Sequence, residues 1–406
     1  MVEIRLPDYV TVLMERLEAA GEEVYLVGGS LRDILLGTEP HDFDLATTAR
    51  PERTSSLFSD HRVITTGLKH GTVTVLSEGN PIEITTFRID GSYTDARHPD
   101  AVTFTRQITE DLSRRDFTVN AMAYHPARGI VDPFDGASDL SAKLLRAVGD
   151  PQKRFSEDAL RVMRAFRFAA QLGFSIDEKT LRGAAQTKDG LAAIARERIA
   201  SEFLRLLLSP APAEALYTMI NAGVLPYVTG EYVPRPAIIE TLADLPATDV
   251  ARLGHFFSDA SREQIEHCLS SLKYSNKQIT GARAVAVCGR QSVLTPADAR
   301  RLIASCGVYA SSAVRSSVAL GLSPVKAIEL VEQNNAPCTL SQLAVGGKDL
   351  VALGIRGKEI GETLEYLLAA ALDDPTVNKK ENLLALAQKR RNTHILSSES
   401  KGKQSK

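Results

Sequence analysis

Asp42 and Asp44 stand one residue apart in the run His41-Asp42-Phe43-Asp44-Leu45. If this run is extended, alternate side chains share a face, and the two carboxylates point the same way. Paired carboxylate oxygens of this kind suit a hard cation such as Mg²⁺. Upstream, the apolar Tyr25-Leu26-Val27 leads into Gly28-Gly29, and Arg32-Asp33 follows. Two glycines ahead of a predicted helix let backbone N–H groups approach a phosphate. A phosphate cradle beside a divalent-cation site reads as nucleotidyl transfer. Taken alone, an Asp-x-Asp also fits a solvated strand face.

Glu83 is the third candidate carboxylate. It lies in Pro81-Ile82-Glu83-Ile84-Thr85-Thr86, where apolar and polar residues alternate. It would join the aspartates if strand 82–88 pairs near strand 42–45, and is otherwise an exposed edge-strand glutamate. Next comes Glu110-Asp111-Leu112-Ser113-Arg114-Arg115-Asp116-Phe117-Thr118-Val119-Asn120. Arginine presents a planar fork matched to phosphate oxygens. Arg114 and Arg115, placed before an Asp and opening a helix expected to carry Asn120, can therefore grip triphosphate and ribose. Asp116 and Asn120 are expected to contact ribose or shape the turn.

The last constellation is Ser156-Glu157-Asp158-Ala159-Leu160-Arg161-Val162-Met163-Arg164-Ala165-Phe166-Arg167. Ser156 is a suitable N-cap for a helix over 156–173. On that helix Asp158 and Arg161 are surface neighbours, commonly a solvated ion pair. Such a pair can also read a base edge. Ionised Asp only accepts hydrogen bonds and Arg only donates them. Asp158 would accept from the amino group of C or A, and Arg161 would donate to the neighbouring ring nitrogen. Uracil and guanine put a carbonyl where the carboxylate needs a donor, and such a mismatch is strongly rejected. Arg164 and Arg167 continue the series. The angular drift of a helix keeps Arg167 off the same base, leaving it phosphate, RNA or a salt bridge.

These motifs together resemble the nucleotidyltransferase superfamily in its tRNA nucleotidyltransferase and bacterial poly(A) polymerase branch. The Glu157-Asp158-x-x-Arg161 run resembles that of class II CCA-adding enzymes. The resemblance implies an α/β nucleotidyltransferase (polymerase-β-like) head followed by an all-α neck, body and tail. It implies template-independent addition of C, C and A to the tRNA 3′ end from CTP and ATP. Asp42, Asp44 and Glu83 would be catalytic and hold two Mg²⁺. Gly28, Gly29, Arg32 and Arg115 would hold the triphosphate, with Asp116, Asn120, Asp158, Arg161, Arg164 and Arg167 also in the nucleotide site. The polar stretch Asp90–Pro99, with Asp95, Arg97 and His98, resembles the loop of enzymes able to add the terminal A. A bacterial poly(A) polymerase, an A-adding-only enzyme and a non-catalytic RNA-binding protein are the alternatives.

Elements must position these residues. Residues 8–20 have helical periodicity, Val24–Val27 suits a strand and Ser30–Leu36 a helix. Residues 62–66, 71–76 and 82–88 read as strands, so a mixed α/β head is expected over 1–150. Asp132-Pro133-Phe134-Asp135-Gly136 reads as a turn with a structural or hinge role. After Gly149-Asp150-Pro151 almost every periodic segment, from 156–173 to 357–372, is helical. A neck over 151–235 and a tRNA-binding body and tail over 236–396 are expected. Residues 397–406, polar and Lys/Ser-rich, are expected to be disordered.

Composition narrows the classes. The chain has 406 residues, 44% hydrophobic, enough for several cores. A formal net charge of −2 gives no global field for nucleic acid, so an RNA surface must be a local basic patch. Cys268, Cys288, Cys306 and Cys338 lack zinc-ligand spacing and are expected to be reduced, half-buried thiols. Without a signal peptide pattern or a membrane-length apolar run, a cytoplasmic protein with no membrane partner is expected. The oligomeric state stays open, a homodimer among the options.

Overall fold

The computed structural model describes residues 4–91 and 102–403. The loop motif with Asp95, Arg97, His98 and Pro99 lies outside the described residues. Contacts divide the chain into two compact units, one running to Val233 with residues 271–273, the other from Pro234 onward without them.

The first unit opens with α1 (Asp8–Ala19), which buries the stripe Val10, Leu13, Met14 and Leu17. Next come β1 (Val24–Val27), α2 (Gly29–Leu35), β2 (Phe43–Thr47) and α3 (Pro51–Leu57). The strands β3 (Arg62–Ile64), β4 (Thr72–Ser77) and β5 (Asn80–Thr86) continue the sheet. A separate ribbon pairs β6 (Arg88–Asp90) with β7 (Val102–Phe104), before α4 (Ile108–Ser113). The hairpin β8 (Ala123–His125) and β9 (Gly129–Val131) completes the head sheet, and α5 (Gly136–Ser141) follows. The described sheet has seven strands in the order β3-β4-β5-β2-β1-β8-β9. All its pairs are antiparallel except β2 with β5. β1 is central and wholly buried, which its unbroken Val-Tyr-Leu-Val run requires. Tyr25, Val27, Ala46, Phe87, Ala121 and Ala123 share one core behind it.

The expected turn at 132–136 is present. Asp132 accepts from the backbone N–H groups of Gly136 and Ala137 at 2.8 and 2.9 Å, and Asp135 is left-handed at φ 60°. A Cβ on Gly136 would lie 2.3 Å from the Thr118 carbonyl oxygen, so only glycine fits.

The neck comprises α6 (Pro151–Glu157), α7 (Leu160–Leu172), α8 (Glu178–Thr187), α9 (Arg196–Leu208) and α10 (Pro212–Asn221). The single helix expected over 156–173 is two helices broken at Asp158, whose backbone is extended at φ −140°, ψ 103°. Ser156 is not an N-cap. It sits inside α6, donating to the Gln152 carbonyl, while Asp150 caps that helix through the Lys153 N–H at 2.7 Å. Asp-Pro at a helix start is the sequence signal that outranked Ser156. Asp158 Oδ1 accepts from the Leu160 N–H at 3.0 Å and so serves the start of α7.

The second unit is helical, from Pro236–Glu240 to Lys380–Lys403. One core gathers Leu302, Val314 and Val331, another Leu350, Leu367 and Leu383. The helix Lys380–Lys403 was not foreseen, and it runs into the stretch 397–406 expected to be disordered. Leu383 and Ala387 anchor it, and its Lys-, Arg- and Ser-rich continuation carries no proline to stop it. The four cysteines are free and buried rather than half-buried. No helix among the described residues is long and apolar enough to cross a membrane.

Candidate active site

The antiparallel β1–β2 pair sets Asp44 opposite Val27, and the parallel β2–β5 pair sets it beside Glu83. Asp42 lies one residue before β2 rather than within it. Gly28 links β1 to α2 at φ 75°, where a Cβ would meet Arg115 Nη1 at 3.1 Å and Asp44 Oδ2 at 3.6 Å. Glycine is needed both for the backbone angle and for the space.

The carboxylates share one field. The Asp44 carboxyl is pushed up to about 6 by burial, then by the charges of Glu83 and Asp42, with Arg115 acting in opposition. Among the described residues no three acidic, histidine or cysteine side chains close into a cage. Asp42 and Asp44 line the pocket described below, whereas Glu83 is not in its wall. The donor chemistry nonetheless fits a hard divalent ion, because Asp44 ionises reluctantly beside two other carboxylates.

That reluctance predicts a pH effect on the metal-free protein. A carboxyl raised from 3.8 to about 6 costs the folded state stability above pH 6. The cost fades as pH falls between those values. Asp44→Asn should therefore melt higher than the parent at pH 8, by on the order of 1–3 kcal/mol. The gap should close by pH 4. Equal melting of the two proteins at both pH values would contradict it.

Arg114 and Arg115 do not open a helix. They follow α4, and Asn120 sits in a short 3₁₀ turn over Thr118–Asn120. Both arginines are held by Asp111, which is fully buried. Its Oδ1 accepts from Arg114 Nε and Nη2 at 3.0 and 2.9 Å, and its Oδ2 from Arg115 Nη2 at 3.3 Å. The same carboxylate accepts from the Arg88 backbone N–H at 3.3 Å. Burial alone would raise its pKa, but the two guanidinium charges hold it below the usual range. Asp111 escaped the sequence reading, although its i+3 and i+4 spacing to the arginines is a legible sign. Asp111→Ala should lower stability by about 3 kcal/mol, because two half-buried guanidinium groups lose the fully buried carboxylate that neutralises them. It should also weaken nucleoside triphosphate binding at least about tenfold. Wild-type melting together with wild-type nucleotide affinity would show that Asp111 does not hold them.

Arg32 is buried, donating to Asp33 Oδ1 at 2.8 Å and to Asn120 Oδ1 at 2.8 Å. Asn120 Nδ2 donates to Asp116 Oδ1 at 3.2 Å. Asp116 Oδ2 takes Arg164 Nε and Nη2 at 2.8 and 2.6 Å. Burial opposes the Asp116 charge, but Arg164 and Asn120 outweigh it and hold its pKa far below the usual range. Asp116 and Asn120 thus hold arginines in place, and both also line the pocket described below.

Asp158 and Arg161 are not ion-paired with each other. Arg161 Nη1 donates to Glu157 Oε2 at 2.8 Å and to the Arg154 carbonyl, and its Nη2 to the Arg114 carbonyl. Arg154 grips the same Glu157 at 2.7 Å and the Ser113 carbonyl. Asp158 Oδ2 instead faces Arg198 Nη2 at 3.4 Å. The break at Asp158 removes the helical neighbourhood expected of the pair. Glu157, one turn before Arg161, was missed as its partner. Arg167 lines the pocket described below, yet it too is ion-paired. Its Nε donates to Glu202 Oε2 at 2.8 Å, both side chains are buried, and burial lowers its pKa.

One pocket of about 950 Å³ nonetheless joins these groups. Its wall includes Gly28, Gly29, Arg32, Asp42 and Asp44 from the head and Asp158, Arg161, Arg164 and Arg198 from the neck. Head and neck belong to the same compact unit. Arg196 is engaged elsewhere, donating to the carbonyls of Tyr227 and Val228.

Carboxylates on a mixed sheet, facing a cleft walled by arginines, define a nucleotidyltransferase head. Residues 24–146 match the family described as "Poly A polymerase head domain", and residues 173–232 match "Probable RNA and SrmB- binding site of polymerase A". The chain is 38% identical to the CCA-adding enzyme of Levilactobacillus brevis, spanning 92% of this chain and 95% of that protein. It is 48% identical to the Leuconostoc mesenteroides CCA-adding enzyme over 54% of this chain, about half (55%) of that relative. The Bacillus stearothermophilus CCA-adding enzyme, solved in complex with CTP, superposes with a TM-score of 0.80 at 30% identity, covering 97% of this chain and all of that one. The Thermotoga maritima CCA-adding enzyme, solved with tRNA, shares the fold with a TM-score of 0.68 at 21% identity, covering 94% of this chain and 96% of that one. The chain belongs to the CCA-adding enzyme family.

Proposed function

We infer that this chain adds C, C and A in turn to the tRNA 3′ end from CTP and ATP, releasing pyrophosphate, with no nucleic-acid template. The observation that carries this is the single pocket joining the head carboxylates to Asp158 and Arg161 of the neck. The family requires a divalent metal. Bound cations, two Mg²⁺ in this reading, supply activation of the 3′-OH and neutralisation of the pyrophosphate. Asp42, Asp44 and Glu83 would hold them. Gly28 and Gly29 leave backbone room for the triphosphate, and Arg32 and Arg115 neutralise it. Arg115 Nε is buried with no partner among the described residues, which suits a donor awaiting a phosphate.

Asp158 and Arg161 choose the base. Each Asp158 oxygen accepts one bond in the structure and retains capacity for another, to the amino group of C or A. Arg161 has more N–H donors than its Glu157 and carbonyl contacts use. The rigid tether to Glu157 fixes where those donors point. Arg164 and Arg167 continue this wall, held in place by Asp116 and Glu202.

Incubating a tRNA that ends at its discriminator base with labelled CTP, ATP and Mg²⁺ tests the reading. C, C and A should appear in that order and stop. A tail that grows with ATP alone, without cytidine, would instead mark a poly(A) polymerase.

A further inference from the structure

Phe168 stands at the meeting of three guanidinium groups. The Cζ atoms of Arg167, Arg164 and Arg32 lie 3.5, 5.1 and 5.4 Å from its ring centroid. Arg164, Arg167 and Phe168 are on α7, while Arg32 comes from α2 of the head. The ring is almost fully buried and lines the pocket. Its orientation is fixed by an edge contact with the buried Phe117, 5.8 Å between centroids at 79°.

Three like charges this close repel one another. Each has its own carboxylate: Asp33 for Arg32, Asp116 for Arg164 and Glu202 for Arg167. Those pairs neutralise the charges but come from different parts of the chain, and none of them touches all three arginines. The ring does. A π face attracts cations within about 6 Å, and the attraction grows where water is excluded.

We propose that Phe168 is a positioning residue whose ring gathers Arg32, Arg164 and Arg167 into one cationic wall and so sets Arg32 for the nucleoside triphosphate. The ring lets a neck helix fix the placement of a head arginine. This rests on Arg32 binding triphosphate, as argued above.

The test replaces Phe168 in the full chain by mono-, di- and trifluorinated phenylalanine. Fluorine drains the negative face while nearly preserving shape and apolarity. CTP binding is measured directly with Mg²⁺ and without tRNA, alongside thermal melting. The expected result is a stepwise weakening of CTP binding, about tenfold across the series, with only a small fall in melting temperature. Phe168→Tyr should bind CTP as wild type does, whereas Phe168→Leu should fall at the weak end. A flat fluorination series overturns the proposal. An Arg32→Ala control separates the two levels. If it binds CTP normally, the triphosphate role of Arg32 fails and the proposal falls with it. If it binds poorly while the series is flat, only the role of Phe168 is wrong.

Discussion

Asp42→Ala and Asp44→Ala are each expected to abolish both C and A addition while leaving tRNA affinity nearly unchanged. Asp44 sits beside Glu83 in the β2–β5 ladder and feels the charges of Glu83 and Asp42. Removing one carboxylate lowers the negative potential that would hold divalent cations. That stabilisation develops mainly in the transition state, so the loss appears in turnover rather than in binding. A fall in kcat of at least about 10³-fold, on the order of 4 kcal/mol, is expected. Single-turnover incorporation of labelled CTP and ATP, with tRNA binding measured separately, checks it. Turnover like that of the parent in either variant would remove these aspartates from the chemistry.

Asp158→Ala should blunt base selection. The substitution removes the acceptor that demands an amino group, so CTP and ATP use should fall and UTP should be admitted relatively more. Discrimination should drop by about 1–3 kcal/mol, the scale of leaving a buried polar group unmatched. The same change strips the Leu160 N–H of its acceptor. Asp158→Asn, which keeps an acceptor there, therefore serves as the control for a damaged helix start. Arg161→Ala should instead weaken all nucleotides together, since it removes donors that line the pocket and leaves Glu157 and the Arg114 carbonyl to Arg154 alone. The kcat/KM values for CTP, ATP and UTP decide. Unchanged selectivity in Asp158→Ala would exclude a protein template.

Local sequence was enough for much of the head. The unbroken apolar run of β1, the alternation in β4 and β5, and the glycine pair are local patterns, and the structure keeps them. Local reading failed where two signals competed. Ser156 is a fair N-cap, yet Asp150-Pro151 starts a helix earlier, and the chain must then break at Asp158. It failed again for Lys380–Lys403, whose burial depends on Leu383 and Ala387 meeting Leu350 and Leu367.

By itself, the sequence determined which chemistry was present: the Asp42/Asp44 pair, Gly28-Gly29, the Arg114-Arg115 motif and the Glu157-Asp158-x-x-Arg161 run. Those are statements of residue type and short spacing, and a one-dimensional pattern carries them. Tertiary structure alone decided partnership. Arg161 belongs to Glu157 and not Asp158, Arg164 to Asp116, Arg167 to Glu202, and Phe168 touches arginines from two parts of the unit. The physical reason is that a buried charge takes whichever opposite charge the packed elements bring within hydrogen-bond reach, and residues 48 or 35 apart in sequence give no local sign of that meeting.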